Sequence, residues 1–433
     1  MVRSVRSVEL DRVAIVGGAR TPFARRGTVY KELSALELGA LAVRGALDAT
    51  QLEAKPIDAL VFGQVVPSVK APNIAREIVL MLGLPKDVDA HSVSRACATS
   101  TQAVATAAMM IQTGQAEIVV AGGADSMSDV PITVRRPLAD ALVTASQAKK
   151  PMDKLKAFAG LGPGDLLPEP PAIAEYSTGL SMGQSAEKMA QENGVGRAEQ
   201  DAFAHRSHER AAAAVKAGLF EQEIAPVFVP PDFEAVRQDN LLRLDSKLEA
   251  YASLRPAFDK KYGTVTAANA SPLTDGGSAL VLMRAERAEA EGRRALAYVK
   301  SYAFAALDPS DQLLMGPAYA SPRALDAAGL EVKDLELVDF HEAFAAQILS
   351  NLQAFESRSF AEEKLGRSRA LGGIDMDRFN VHGGSIALGH PFAATGARQL
   401  LTVAKELDRR GGGQALVAQC AAGGLGAAMV LER

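Results

Sequence analysis

The sequence predicts an α/β fold made of two similar halves with an insertion between them, and three observations lead there. Short apolar runs alternate with longer alanine-rich stretches of helical spacing, the pattern of helices layered on sheets. The first and last thirds repeat one order of elements, and the stretch 126–256 breaks that order. At 433 residues the chain is also too long for one ordinary core and calls for two or three.

Taken in order, the first strand is 13–16, Val-Ala-Ile-Val, an apolar and largely β-branched run. An alanine- and leucine-rich helix follows over 34–49, then a strand at 59–62 (Ala-Leu-Val-Phe) and a helix over 73–82. The helix over 97–113 carries no charge from Ala98 onward, so it can be buried all round, and the run 117–121 closes this third as a strand. Helices are expected over 183–193 and 198–217, strands over 278–283 and 297–303, and a helix over 321–328. The last third then gives a strand at 335–340, helices over 342–355 and 393–410, and strands at 415–419 and 427–431.

Laid side by side, 58–63, 73–82, 97–113 and 117–123 match 336–341, 343–355, 393–410 and 414–424 in kind and order. Residue identity between them is low, so the duplication rests on the order of elements. Its consequence is specific: the loops holding Cys97 and His390 should come to corresponding strand ends. We therefore divide the chain into an N-terminal half, 1–125 completed by 257–290, an inserted subdomain, 126–256, and a C-terminal half, 291–433. The insertion contains a basic stretch (Arg135, Arg136, Lys149, Lys150, Lys154, Lys156) and then Leu167-Pro168-Glu169-Pro170-Pro171. A long Pro-punctuated segment with its own helices is expected to cover the active site and hold much of the substrate.

Bulk properties exclude several classes. With 48% hydrophobic residues, 23% charged and a net charge of -4, the composition is that of a soluble globular protein, and no nucleic-acid partner is expected. Two cysteines make no disulfide framework and no CxxC spacing suggests zinc, which points to a reducing, cytoplasmic location. The first eleven residues carry Arg3 and Arg6 without an apolar run, so no secretory signal is expected, and no apolar stretch reaches the roughly 20 residues of a membrane span.

The chemistry gathers in three segments. Cys97, in Ser94-Arg95-Ala96-Cys97-Ala98-Thr99-Ser100, stands at the mouth of an uncharged helix. Free amides and the positive end of the helix dipole should lower the thiol pKa toward neutrality and offer donors to an oxyanion. A structural cysteine is the commoner fate of such a residue, but the polar flank and the helix position favour a nucleophile. His390 lies between Gly389 and Pro391 in Asn380-Val381-His382-Gly383-Gly384-Ser385-Ile386-Ala387-Leu388-Gly389-His390-Pro391. There the glycines admit unusual backbone angles, the proline suits a first helical turn, and an imidazole near pKa 6.5 suits removal of a thiol proton. His382 reads as loop structure.

Cys420 follows a strand-like run and precedes Gly423, Gly424 and Gly426. The glycine spacing misses GxGxxG and only nine residues remain after Gly424, so a dinucleotide site is a poor alternative. A thiol there can move a proton to and from carbon, with loop amides free to face a ligand. His341, in Asp339-Phe340-His341-Glu342, sits where a strand hands over to a helix, a place for ligand contact or a helix cap, and Glu342 could support the loop electrostatically. A cysteine nucleophile, a histidine base and a second cysteine are what carbon–carbon bond exchange on a thioester requires.

These residues resemble the thiolase family over essentially the whole chain. The resemblance is carried by SRACATS around Cys97, HEAFAAQ at 341–347, NVHGGSIALGHPFAATGAR at 380–398 and CAAGGLGAAMVLE at 420–432. Further matches are APNIAREIVL at 71–80, AEYSTGLSMGQSAE at 174–187, AHRSHERA at 204–211 and LRPAFDKKYGTVTAANASPLTDG at 254–276. The branch most resembled is the thiolase subunit of bacterial fatty-acid oxidation complexes, related to the mitochondrial trifunctional β-subunit.

The resemblance implies a five-layered αβαβα fold and 3-ketoacyl-CoA cleavage, with Cys97 acylated, His390 activating it and Cys420 as acid/base. It implies one oxyanion hole from His390 and a water held by His341, and another from the amides of Cys97 and Ala422. Ser271 and Met182 should touch the pantetheine arm of CoA, Arg243 should lie near its nucleotide, and Phe344 and Met315 should line the pocket. CoA enters as co-substrate, with no bound cofactor and no metal. The chain departs from the commoner pattern at His341, where most thiolases carry Asn, and at Ala422, where most carry Gly. Both fit the oxidation-complex branch.

A homodimer or larger oligomer is implied, and the basic segment 133–156 suggests docking to a hydratase/dehydrogenase subunit or to a membrane. The rivals are an acetyl-CoA acetyltransferase acting on acetoacetyl-CoA, a decarboxylating ketoacyl synthase, which would want a second acid/base histidine or asparagine and no second cysteine, and a non-catalytic scaffold subunit.

Overall fold

A computed structural model describes residues 11–53, 55–169 and 174–433. Arg3, Arg6 and Pro170-Pro171 lie outside the described residues.

Nine strands form one continuous sheet: β1 (Val13–Arg20), β2 (Ala59–Gly63), β3 (Asp89–Val93), β4 (Ile118–Asp125), β5 (Thr274–Arg284), β6 (Ala297–Ala306), β7 (Leu337–Phe340), β8 (Gln414–Ala421) and β9 (Leu425–Glu432). Their order is β7-β8-β9-β6-β1-β5-β4-β2-β3, with the short strand Ala24–Arg25 pairing β5. Within it two arrangements repeat. In the first half β2 runs parallel to β4, and β5 then β1 follow antiparallel. In the second β7 runs parallel to β8, and β9 then β6 follow antiparallel. Beyond β2 stands the parallel edge strand β3, and beyond β7 a single parallel bridge from Val338 to Phe379 takes that place. The two similar halves expected from the sequence are joined by β1 and β6 through Val13–Val299, Ala14–Tyr298 and Ile15–Ala297.

The principal helices are α1 (Ala35–Thr50), α2 (Ile74–Met81), α3 (Thr99–Gln112), α4 (Arg136–Gln147), α5 (Pro151–Lys156), α6 (Met182–Glu192), α7 (Arg197–Lys216), α8 (Gly316–Ala328), α9 (Ala345–Glu356) and α10 (Thr395–Arg410). Strand alternation sets the layers. Ile118 and Val120 of β4 join a core with α1 and α2, whereas Val119 and Ala121 face α3 and α10. In β8, Ala415 and Val417 face α3 and α10, while Leu416 and Ala418 join the core with α8 and α9. Helices, sheet, α3 with α10, sheet and helices make five layers. The uncharged face expected of α3 is its price of admission to the middle layer.

Two expected helices start later than their sequence ranges. The segment 97–98 is a turn before α3, and 341–344 is a loop before α9, so Cys97 and His341 both stand outside regular structure. Among the described residues, no helix is long and apolar enough to cross a membrane.

Candidate active site

Cys97 projects from a strained turn. Ala96 has φ +44°, an uncommon region for a residue with a Cβ. Thr99 holds the turn in place: its hydroxyl donates to the Ala96 carbonyl (2.7 Å) and accepts from the Arg95 amide (2.8 Å). On the other side of the molecular centre, Gly389 at φ +98° turns the chain so that His390 faces inward, as the glycine-edged loop predicts. Asp125, at the end of β4, accepts from the amides of Ala393 (2.7 Å), Val65 (3.0 Å) and Val66 (3.0 Å) and so ties the His390 loop to the first half. Gly123 permits the approach, since a Cβ there would lie 2.9 Å from that of Ala393.

The loops converge. Cys97 Sγ and one ring nitrogen each from His341 and His390 all lie within 4.8 Å of one another. The two imidazoles pack with centroids 4.0 Å apart, tilted by 40°. Nδ1 of His390 meets Thr395 Oγ1 (2.6 Å) and Nδ1 of His341 meets Ser385 Oγ (2.8 Å). Both Nε2 atoms are buried and have no hydrogen-bond partner among the described residues, which leaves them free to meet a ligand. The Ala422 amide stands near enough to the Cys97 sulfur to favour its ionised form, and Cys420, buried, lies close enough for Cys97 to raise its cost of ionisation. Among the described residues Cys97, His341 and His390 are also the one such cluster close enough to hold a metal ion. Acyl transfer at sulfur needs none.

The electrostatics depart from the sequence expectation. Although the Cys97 residue is only half-buried, the protein packed round its sulfur, with the Asp125 charge adding to the effect, pushes the thiol up to about 12 despite the Ala422 amide, where the helix mouth alone suggested a value near neutrality. Burial, reinforced by the Arg398 guanidinium, pulls His390 down to about 3, and burial with His390 and Arg398 depresses His341 as well. Burial raises Cys420. The resting site is therefore a set of neutral groups, in which the buried, desolvated charge is created only when a substrate can receive it.

A cavity of about 760 Å³, a size suited to an extended ligand, lies beside this cluster without being lined by Cys97, His341, His390 or Cys420. Its walls come from 241–258 and from 266–272, with Arg243, Lys247 and Arg25 supplying positive charge beside Asp245 and with Ser271 on the same wall. The stretch 270–273 connects it to the chemistry: Ala270 bridges Phe344, Ser271 N donates to the Ala343 carbonyl (2.9 Å), and Leu273 bridges His390. Phe344 and Met315 belong to the apolar cluster that includes Cys420, with Met182 packed against it. Met315 does not border the wide cavity; it is 5% exposed and lines a separate crevice with Tyr319 and Phe360, because the turn before α8 is pressed against β9 at Gly316 and Gly426.

His382 pairs with Glu406 (3.0 Å) away from the cluster, as its assignment to loop structure expects. Glu342 accepts from Ser207 (2.7 Å), Asn380 (2.7 Å) and the Ile386 amide (3.2 Å), the supporting role the sequence allowed. Asp125, Thr395, Ser385 and Glu175 were not foreseen. Glu175 accepts from the Gly423 amide (2.7 Å), beside the Ala422 amide that serves Cys97. Of these, only Asp125, an acid ending the small-residue strand Ala121-Gly122-Gly123-Ala124, carried a sequence signal.

Comparison with known proteins agrees with this geometry. The family model "Thiolase, N-terminal domain" matches residues 13–286, and "Thiolase, C-terminal domain" matches 293–433. A 3-ketoacyl-CoA thiolase of Shewanella baltica (strain OS185) is 54% identical over 430 residues, 99% of either chain. One from Shewanella amazonensis is 55% identical over 422 residues, 98% of this chain and 97% of its own. The crystal structure of human mitochondrial 3-ketoacyl-CoA thiolase superposes with TM-score 0.83 at 31% identity, covering 98% of this chain and 99% of that one. A complex of that human protein with CoA gives 0.82 at 31% identity over 98% of each chain. The acetyl-CoA acetyltransferase of Bacillus anthracis gives 0.83 at 30% identity over 98% and 99%.

Proposed function

The chain belongs to the thiolase family, and we propose that it cleaves 3-ketoacyl-CoA with CoA, releasing acetyl-CoA and an acyl-CoA two carbons shorter. It is an acyltransferase. The observation that carries the assignment of roles is the convergence of Cys97 Sγ with the nitrogens of His341 and His390, with the Ala422 amide and Cys420 near the sulfur.

His390 takes the Cys97 proton as sulfur attacks the 3-keto carbon, and the C2–C3 bond breaks to expel the acetyl-CoA enolate. Cys420 protonates that enolate at C2. The amides of Cys97 and Ala422 face the carbonyl oxygen of the acyl group held on Cys97, and His390 with His341 or its water faces the thioester oxygen, where enolate charge collects. Each such donor contributes roughly 3 to 4 kcal/mol. The CoA thiol gives its proton to the Cys420 thiolate as its sulfur attacks the acyl carbonyl, and Cys97 leaves and regains its proton from His390. Arg243 and Lys247 at the cavity mouth suit the phosphates of CoA, and Ser271 suits the inner arm.

Fold likeness does not separate this activity from acetoacetyl-CoA synthesis, since both kinds of structure superpose equally well. Full-length identity of 54% to 3-ketoacyl-CoA thiolases favours cleavage. The cytoplasm is the compartment suited to two free thiols, and the chain works as an oligomer, with a hydratase/dehydrogenase subunit or a membrane docking on 133–156. The test is thiolysis across a ladder of chain lengths, with and without the candidate subunit. Activity persisting well above acetoacetyl-CoA is expected; a sharp fall beyond it means the acetyltransferase, and an unaltered complex activity in Cys97→Ala means a scaffold.

A further inference from the structure

Behind the two imidazoles the hydrogen bonds are unequal. Ser385 Oγ lies 2.8 Å from His341 Nδ1 and 3.2 Å from Arg398 Nη2, and among the described residues it meets no other partner. A guanidinium only donates, so it occupies a lone pair of Ser385 and cannot receive the serine proton. If His341 carried its hydrogen on Nδ1, the serine oxygen would accept twice and its own buried hydrogen would have nowhere to go. With the proton on the serine and Nδ1 bare, both contacts of the serine hydroxyl are satisfied. Thr395 is placed differently. Its hydroxyl lies 2.6 Å from His390 Nδ1 and 3.3 Å from the Pro391 carbonyl, so it can donate to the ring, or accept from the ring while donating to the carbonyl.

Arg398 reinforces the difference. It is 1% exposed and, among the described residues, its Nε and Nη1 find no partner, while the Asp339, Glu223 and Glu342 carboxylates act on it from beyond ion-pair distance, so a buried cation sits behind His341. A doubly protonated His341 would face that cation on one side and His390 on the other.

We infer that Arg398 acting through Ser385 fixes His341 in the neutral tautomer that turns its Nε2 hydrogen into the site, while Thr395 lets His390 exchange tautomers. Ser385 and Arg398 are positioning residues. Resting on the thiolase reading above, the inference divides the labour of the stacked pair: His341 is a constant donor to whatever oxygen occupies the site, and His390 takes up and returns protons. An asparagine at 341, as most thiolases have, would need no such lock.

The test uses the full chain labelled with 15N-histidine, the His341 signals being assigned by their loss in His341→Asn. The wild type should show a pyridine-like Nδ1 and a pyrrole-like Nε2 for residue 341, and Ser385→Ala should show both tautomers. A pyrrole-like Nδ1 in the wild type overturns the inference, whatever the enzyme's activity. In thiolysis, Ser385→Ala should lower kcat on the order of 10²-fold with KM within about twofold, the loss typical of one misplaced oxyanion donor, and Ser385→Thr should restore most of it. In the His341→Asn background the same Ser385→Ala change should cost less than about threefold, because an amide has no tautomer to lose. Equal losses in the two backgrounds would make Ser385 a packing residue only and overturn the inference. Absence of thiolysis in the wild type would instead refute the proposed reaction and leave the spectra to decide the tautomers.

Discussion

Gly396 and Thr101 bring α10 and α3 into backbone contact. A Cβ on Gly396 would fall inside the van der Waals shell of Thr101 Oγ1 and lie 2.8 Å from its amide nitrogen. The approach also allows the Ala397 amide to donate to Ser100 Oγ (2.8 Å). Cys97 and His390 precede these two helices, so their separation is set here. Gly396→Ala adds helix propensity worth up to about 1 kcal/mol, less at a helix end, against overpacking of about 1–3 kcal/mol. Net destabilisation is expected, with a further fall in kcat. A melting temperature and turnover equal to wild type would refute the account of the α3–α10 contact.

The neutral resting site gives a pH signature. With Cys97 at about 12, the thiolate fraction at pH 7 is on the order of 10⁻⁵, and it grows about tenfold per pH unit because the thiol lies above every pH at which the enzyme is handled. His390, at about 3, is neutral throughout and offers no cation to pair with the sulfur. Alkylation of Cys97 by iodoacetamide in the free enzyme should therefore climb steadily from pH 6 to pH 9. A plateau near neutrality would reveal a thiolate–imidazolium pair and contradict this.

The two thiols should fail in different ways when removed. Cys97→Ala should lose thiolysis by about 10³-fold or more and take up no acetyl group from acetyl-CoA. Cys420→Ala should still be acetylated on Cys97, as seen by mass spectrometry, yet neither protonate the enolate nor turn over. Recovery of an acetyl group on Cys420 in Cys97→Ala would reverse the assignment of nucleophile.

The sequence carried the layers and the reacting groups for a common reason: both are written in local patterns. Alternation within β4 and β8, the uncharged length of α3, and the Gly-His-Pro turn each leave a mark within a few residues. What it could not carry was made by contacts between distant segments. The thiol value of Cys97 depends on the protein that both halves pack round its sulfur, and that reversed the expectation drawn from its helix mouth. Ser385, Thr395 and Asp125 are ordinary polar residues until the fold sets them against His341, His390 and the Ala393 amide. Phe344 and Met315, which the resemblance puts along the pocket, both lie in the apolar cluster with Cys420, and neither borders the wide cavity. The continuous sheet, too, rests on the pairing of residues nearly three hundred positions apart, Val13 with Val299.

The insertion offers a surface that its own chain does not cover. Helix α5 buries no residue and α4 only Ala141, while Met152 (61%) and Leu155 (69%) are exposed on a helix that also carries Lys154 and Lys156. Burying two such side chains against another surface is worth about 1.5–3 kcal/mol each, whereas their loss from an exposed helix should change folding stability by no more than about 0.5 kcal/mol. The double substitution Met152→Ser with Leu155→Ser should therefore leave the melting temperature and acetoacetyl-CoA thiolysis unchanged. It should weaken co-elution with the hydratase/dehydrogenase subunit, or co-sedimentation with anionic vesicles, by at least about tenfold. If both survive the substitution, and also survive deletion of 133–156, this surface has no docking role and its apolar residues are only tolerated.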